Sequence, residues 1–126
     1  MQMILAIAGG GALGALTRHF WTGAIMRVLG TSFPWGVLTA NILGSFCMGA
    51  LVAFFAHSTD MSQAFKAFLT VGFLGAFTTF SAFSLDSINL IERGDYLSAG
   101  YYILGSVFCS ITALFIGMIC VRQVIS

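Results

Sequence analysis

The sequence predicts an all-α membrane protein built from four transmembrane helices. Three observations carry this. Hydrophobic residues make up 59% of the 126-residue chain and charged residues 7%. Mean hydropathy is +1.00, far above the level of a soluble domain. A hydrocarbon core about 30 Å thick takes roughly 20 apolar residues per helix, so four spans use nearly all of the chain. The expectation is a single domain over residues 1–126, with spans near 3–25, 35–56, 64–92 and 96–122.

The first span follows Met1-Gln2-Met3-Ile4, which has no basic run, and no small-residue cleavage pattern comes after it; it reads as a retained helix and not as a signal peptide. Gly10 and Gly14 form a G-x-x-x-G pair, which lets helices approach closely in lipid. Gly30-Thr31-Ser32-Phe33-Pro34 precedes the second span and puts the only proline where a first helical turn tolerates it. Within that span Asn41 and Ser45 fall one turn apart, with Gly44 and Gly49 nearby. His57-Ser58-Thr59-Asp60 separates spans two and three.

The third span contains the most telling stretch, Gly72-Phe-Leu-Gly-Ala-Phe-Thr-Thr-Phe-Ser-Ala-Phe-Ser84. It is apolar enough for a membrane, yet it mixes glycines, adjacent threonines, serines and phenylalanines in a way a plain membrane helix has no use for. A helix that breaks at the bilayer midplane and turns carbonyls, hydroxyls and ring edges toward an ion accounts for that mixture. Arg93-Gly94-Asp95 then makes a tight turn, with Asp95 available to cap the fourth span. In the fourth, Tyr102, Ser106 and Ser110 repeat every four residues and form one stripe.

Cys47, Cys109 and Cys120 lie inside apolar spans without metal-like spacing and read as packing residues. His19 and His57 have no acidic or cysteine company. The charges are more informative. Lys66 and Arg122 fall on the side of the N-terminus, Arg27 and Arg93 on the other, and Arg18 lies toward that second side. Orientation follows an excess of Lys and Arg in cytoplasmic loops, and no useful excess exists here. The chain is therefore expected to insert both ways up, allowing oppositely oriented copies to pair as an antiparallel, dual-topology homodimer.

Polar residues inside spans are costly unless they face protein, water or an ion. The Asn41/Ser45 pair, the Tyr102/Ser106/Ser110 stripe and a third on the third span, where Phe80, Phe83, Ser84 and Ser87 fall within about 100° of arc at 3.6 residues per turn, are almost free of ionisable groups and read as a lined route. Asn41, the serine hydroxyls and Tyr102 are donors, and carboxylate rings that would select cations are missing. Phe80 and Phe83 can present the positive edges of their rings, and Arg18 can draw anions into a vestibule. A narrow anion pathway follows.

These residues bring out a resemblance to the Fluc/CrcB fluoride channels over essentially the whole chain. Its landmarks are Gly14-Ala-Leu-Thr-Arg18, Phe33-Pro-Trp-Gly36, Thr39-Ala-Asn-Ile-Leu-Gly-Ser45, the Gly72–Ser84 stretch and the Tyr102/Ser106/Ser110 stripe. The resemblance implies a passive fluoride-selective channel in the plasma membrane, a bacterial inner membrane, assembled as an inverted homodimer among lipid. It implies that Asn41 donates to fluoride with Phe80 and Phe83 as ring-edge contacts, and that Ser81, Ser84, Tyr102, Ser106 and Ser110 form a polar track. It further implies a structural sodium ion on the dimer axis, held by the backbone carbonyls of Gly75 and Thr78 from both copies. Ala76 stands where such channels are expected to carry a further glycine, and Asp86 where a longer glutamate is expected.

Two other classes compete. A dual-topology, proton-coupled exporter of cationic drugs would share length and hydropathy, but needs an acidic residue deep in a span. Asp86, Glu92 and Asp95 instead cluster toward one end of the third span and its turn. A membrane scaffold would use the stripes only as glue between helices. An enzyme lacks support, with no nucleophile–base pair, metal cluster or phosphate-cradling loop, and five scattered basic residues do not suit nucleic acid.

Overall fold

Apolar runs of this length close all their backbone hydrogen bonds internally by becoming helices. In the computed structural model, which describes residues 1–58 and 60–125, α1 spans Gln2–Leu29 and α2 spans Trp35–Ala56. The third hydrophobic segment is assembled from pieces: α3 (Gln63–Ala67), a π-helical stretch over Phe68–Leu74, α4 (Gly75–Phe77) and α5 (Phe80–Glu92). The chain ends with α6 (Tyr96–Ile125). Four segments, Gln2–Leu29, Trp35–Ala56, Gln63–Glu92 and Tyr96–Ile125, are long and apolar enough to cross a membrane. The expected four spans are present, although the first and fourth helices run past the expected ends at 25 and 122. The expected joint at His57–Asp60 includes Thr59, which lies outside the described residues.

Small residues set how the helices meet. At Gly10 and Gly14 an added Cβ would fall on the carbonyl oxygens of Phe68 and Phe73, so α1 lies directly against the π-helical stretch. Gly72 answers from the other side, where a Cβ would sit 3.0 Å from Gly10 Cα. The G-x-x-x-G pair is therefore spent on packing within the protomer. The α2–α6 contact is made the same way, through Gly49 against the Leu114 carbonyl and Gly117 against the Phe46 carbonyl. Dispersion between closely approaching backbones is what holds helices together where lipid removes the hydrophobic drive.

Where α2, α5 and α6 converge, Phe83, Leu90, Ala99 and Tyr102 are buried together, with Phe33, Val37, Leu38 and Ile103 packed against them. Phe33 meets the Tyr102 ring edge-on at a centroid distance of 5.6 Å. At the joints, Pro34 stands at the N-cap of α2, just outside the first turn. Gly94 has φ +81 and supplies the left-handed residue of the α5–α6 turn. The carbonyl of Asp95 accepts the Ala99 N–H at 3.0 Å, while its carboxylate accepts from Arg93 Nη2 at 3.3 Å. Asp95 thus stands at the expected N-cap position of α6, with its carboxylate paired to Arg93.

Candidate anion cavity at the interrupted helix

The interruption lies midway along the third segment. Thr78 (φ −85, ψ 158) and Thr79 (φ −155, ψ 124) are extended between α4 and α5. Local chemistry explains the change of path. The Thr78 N–H and hydroxyl both donate to Leu74 O, at 3.0 and 2.9 Å, and finish the preceding turn. Thr79 starts the next helix as its N-cap, its Oγ1 accepting the Ala82 N–H at 3.1 Å. β-Branched residues are also the ones that lose most rotamer freedom in a helix, so a threonine pair favours an interruption here.

Asn41 on α2 fixes the interruption from outside. Its Oδ1 accepts the Thr79 N–H at 2.7 Å and its Nδ2 donates to Thr79 O at 3.0 Å. The backbone N–H can only donate, so the amide's orientation is determined. One of the two Nδ2 protons remains for another acceptor. Beside it, the Thr78 methyl rests on Gly44, where a Cβ would occupy the same space. The Arg18 guanidinium donates to Ala76 O, within α4, at 3.1 Å.

Two consequences follow for backbone carbonyls. In an unbroken α-helix the Thr79 N–H would reach Gly75 O, and the Ala82 N–H would reach Thr78 O. Here the first goes to Asn41 and the second to the Thr79 hydroxyl. Gly75 lies exposed on the surface of the protomer.

Next to the interruption is a cavity of about 360 Å³, lined by Asn41, Ser45, Thr78, Thr79, Phe80, Phe83, Ser106, Val107, Ser110 and Ile111. Of the residues singled out from sequence, it brings together Asn41, Ser45, Thr78, Phe80, Phe83, Ser106 and Ser110. The Phe80 and Phe83 rings stand 5.4 Å apart, centroid to centroid. Phe80 is 77% exposed, while Phe83 is 8% exposed and packs on Tyr102. The Oγ atoms of Ser106 and Ser110 are buried with no hydrogen-bond partner among the described residues. Such hydroxyls are expensive to bury unless something accepts from them.

Ser81, Ser84, Tyr102 and Arg18 are not among the lining residues. Ser81 Oγ meets Thr79 Oγ1 at 3.3 Å, and Ser84 Oγ donates to Phe80 O at 3.0 Å. Tyr102 is fully buried, and its hydroxyl donates to Asp86 Oδ2 at 3.1 Å. Arg18, expected in a vestibule, is engaged with the Ala76 carbonyl. Sequence reasoning missed Thr79, the residue that both caps α5 and is gripped by Asn41. A threonine three residues before Ala82, at the start of a helical run, was the available signal. The Tyr102–Asp86 bond had none, because it depends on how α5 and α6 cross.

Residues 5–118 match the family described as CrcB-like protein, Camphor Resistance (CrcB). A protein of Rhodospirillum centenum named fluoride-specific ion channel FluC is 44% identical over 126 residues, covering all of both chains. Fluoride-specific ion channel FluC 1 of Nitrobacter hamburgensis is 47% identical over 119 residues, 94% of each chain. The FluC protein of Geobacter sulfurreducens is 40% identical over 123 residues, 98% of this chain and 99% of its own.

Proposed function

This chain belongs to the CrcB-like protein family, and from that premise we propose that it is a fluoride-selective passive channel of the bacterial inner membrane, exporting fluoride and lowering its cytoplasmic concentration. The observation that carries the reading is the similarity, at 44% and 47% identity over 100% and 94% of the chain, to bacterial proteins named fluoride-specific ion channels. The cavity supplies matching chemistry. Fluoride is small and accepts strong hydrogen bonds; the second Asn41 amide proton and the hydroxyls of Ser106 and Ser110 are donors without partners among the described residues. The edges of Phe80 and Phe83 add the positive part of the ring quadrupole. Chloride is larger and gains less from these donors.

Ser81, Ser84 and Tyr102 extend the same route. To serve an ion, Ser84 must release the Phe80 carbonyl and Tyr102 must release Asp86. Arg18 contributes positive charge beside the interruption, which favours an anion nearby.

Two oppositely oriented copies pair across the interrupted segment, with the break at the bilayer midplane. The even distribution of Lys and Arg supports dual insertion. The exposed Gly75 and Phe80 support burial of this face against a second copy. Gly75 and Thr78 fit the structural sodium ion that the family implies, because both carbonyls have lost their helical N–H donors to side chains. Four such oxygens, two from each copy, suit a hard monovalent cation. Bound there, sodium would supply the positive charge that offsets these carbonyl dipoles.

The exporter reading gains nothing from the geometry. Asp86 is bonded to Tyr102 and lies outside the cavity lining.

Fluoride efflux from proteoliposomes tests the proposal. A fluoride electrode follows release while valinomycin and a potassium gradient set the potential, with chloride-loaded vesicles for comparison. Rapid potential-driven fluoride release with negligible chloride release is expected. No release from vesicles containing folded protein overturns it.

A further inference from the structure

We propose that Asn41 is a positioning residue for the cation site as well as a lining residue of the anion cavity: by holding the Thr79 N–H, it keeps the Gly75 carbonyl available to sodium. The inference rests on the sodium reading above, and it joins two sites that otherwise look independent.

The geometry leaves Thr79 little freedom. A single side chain 38 positions away takes both of its backbone polar groups, accepting from N at 2.7 Å and donating to O at 3.0 Å. Asn41 is itself held in place, because Ala40 beside it is fully buried and Gly44 one turn on seats the Thr78 methyl. With the amide present, Thr79 stays extended and its N–H points away from the preceding turn. Once the amide is removed, that N–H lies inside a membrane with no water to satisfy it. The acceptor offered by helical geometry is the carbonyl four residues back, that of Gly75. Closing that bond continues α4 by a residue and removes one ligand from each copy, two of the four around the ion. Thr79 Oγ1 does the equivalent service for Thr78 by holding the Ala82 N–H. The two faces of Asn41 therefore divide the work: Oδ1 acts on the cation site through the backbone, and the second Nδ2 proton faces the anion.

The test reads sodium dependence apart from flux. Thermal unfolding of the purified protein in detergent is followed by tryptophan fluorescence across a sodium titration, with N-methylglucamine keeping ionic strength constant. Wild-type protein should show a midpoint that rises with sodium concentration. Asn41→Ala should weaken the apparent sodium affinity about tenfold, the scale of one well-made buried hydrogen bond. Asn41→Asp retains an oxygen for the Thr79 N–H and should restore the sodium dependence, while fluoride flux stays low because the amide protons are gone. A purely structural loss would lower the midpoint at every sodium concentration and leave the dependence unchanged.

Wild-type sodium dependence in Asn41→Ala overturns the inference while leaving the cation site intact. Absence of sodium dependence in the wild type removes the cation reading and this inference with it. If Asn41→Ala does not elute as folded protein, Asn41→Ser, whose hydroxyl is too short to reach both Thr79 groups, reads the same quantity. Unchanged sodium dependence there is equally decisive against it.

Discussion

Removing the hydroxyls of Ser106 and Ser110 separates ion handling from helix packing. Both Oγ atoms are buried and neither has a partner among the described residues, so Ser106→Ala and Ser110→Ala break no hydrogen bond to any of them. Replacing an unpartnered polar atom by an apolar one is close to neutral for stability or mildly favourable. The consequence for an ion is different, because a hydrogen bond to a charged group is worth about 1.5–3 kcal/mol. If one such bond is lost where the barrier is highest, the rate falls by roughly tenfold to a hundredfold, at a factor of ten per 1.4 kcal/mol. The double variant should lose more than either single one. The assay is electrode-recorded fluoride efflux beside a thermal melt of the same preparations. Slower efflux with an unchanged melt is the expected pair. Wild-type efflux from the double variant would refute the idea that these hydroxyls solvate the permeating ion.

Three further outcomes follow. Phe80→Ala should slow fluoride efflux without unfolding the protomer, on which that ring is 77% exposed, and any loss of stability should fall on the contact between copies; Phe83→Ala should slow efflux and also destabilise the protomer by about 3–5 kcal/mol, as a core phenylalanine does, which paired efflux and denaturation measurements check. Gly14→Val should abolish the folded protein, because even a Cβ there meets the Phe73 carbonyl; size-exclusion chromatography should find aggregate where the wild type elutes as a single species. In a cysteine-free background, Glu92→Cys should be labelled by a membrane-impermeant maleimide from outside the cell in about half of the copies if insertion is dual, and in nearly all or none if one orientation is fixed.

Much of this architecture could be read before any coordinates, for physical reasons specific to membranes. A hydrocarbon solvent permits few backbone solutions, so hydropathy alone located the four spans, and the mixture of Gly, Thr and Ser in Gly72–Ser84 pointed to the interruption near Thr78 and Thr79. Ser106 and Ser110 of the expected stripe both line the cavity, because helical spacing carries a serine face over successive turns. Tyr102, one turn earlier on the same stripe, stands outside the cavity lining, because the packing of Phe33 and Phe83 encloses that ring and its hydroxyl goes to Asp86. Arg18 could not be placed either, since long side chains choose partners by tertiary geometry, and here the choice was the Ala76 carbonyl. The double grip of Asn41 on Thr79 is likewise a contact between distant positions, invisible to any local pattern.

Reversal potential in a planar bilayer tests the central claim most directly. With a tenfold fluoride gradient set against an opposing tenfold chloride gradient, a fluoride-selective channel should carry current that reverses near the fluoride equilibrium potential, about 59 mV from zero for a monovalent ion. Reversal at the chloride potential or near zero, or no protein-dependent current from folded protein, would contradict it.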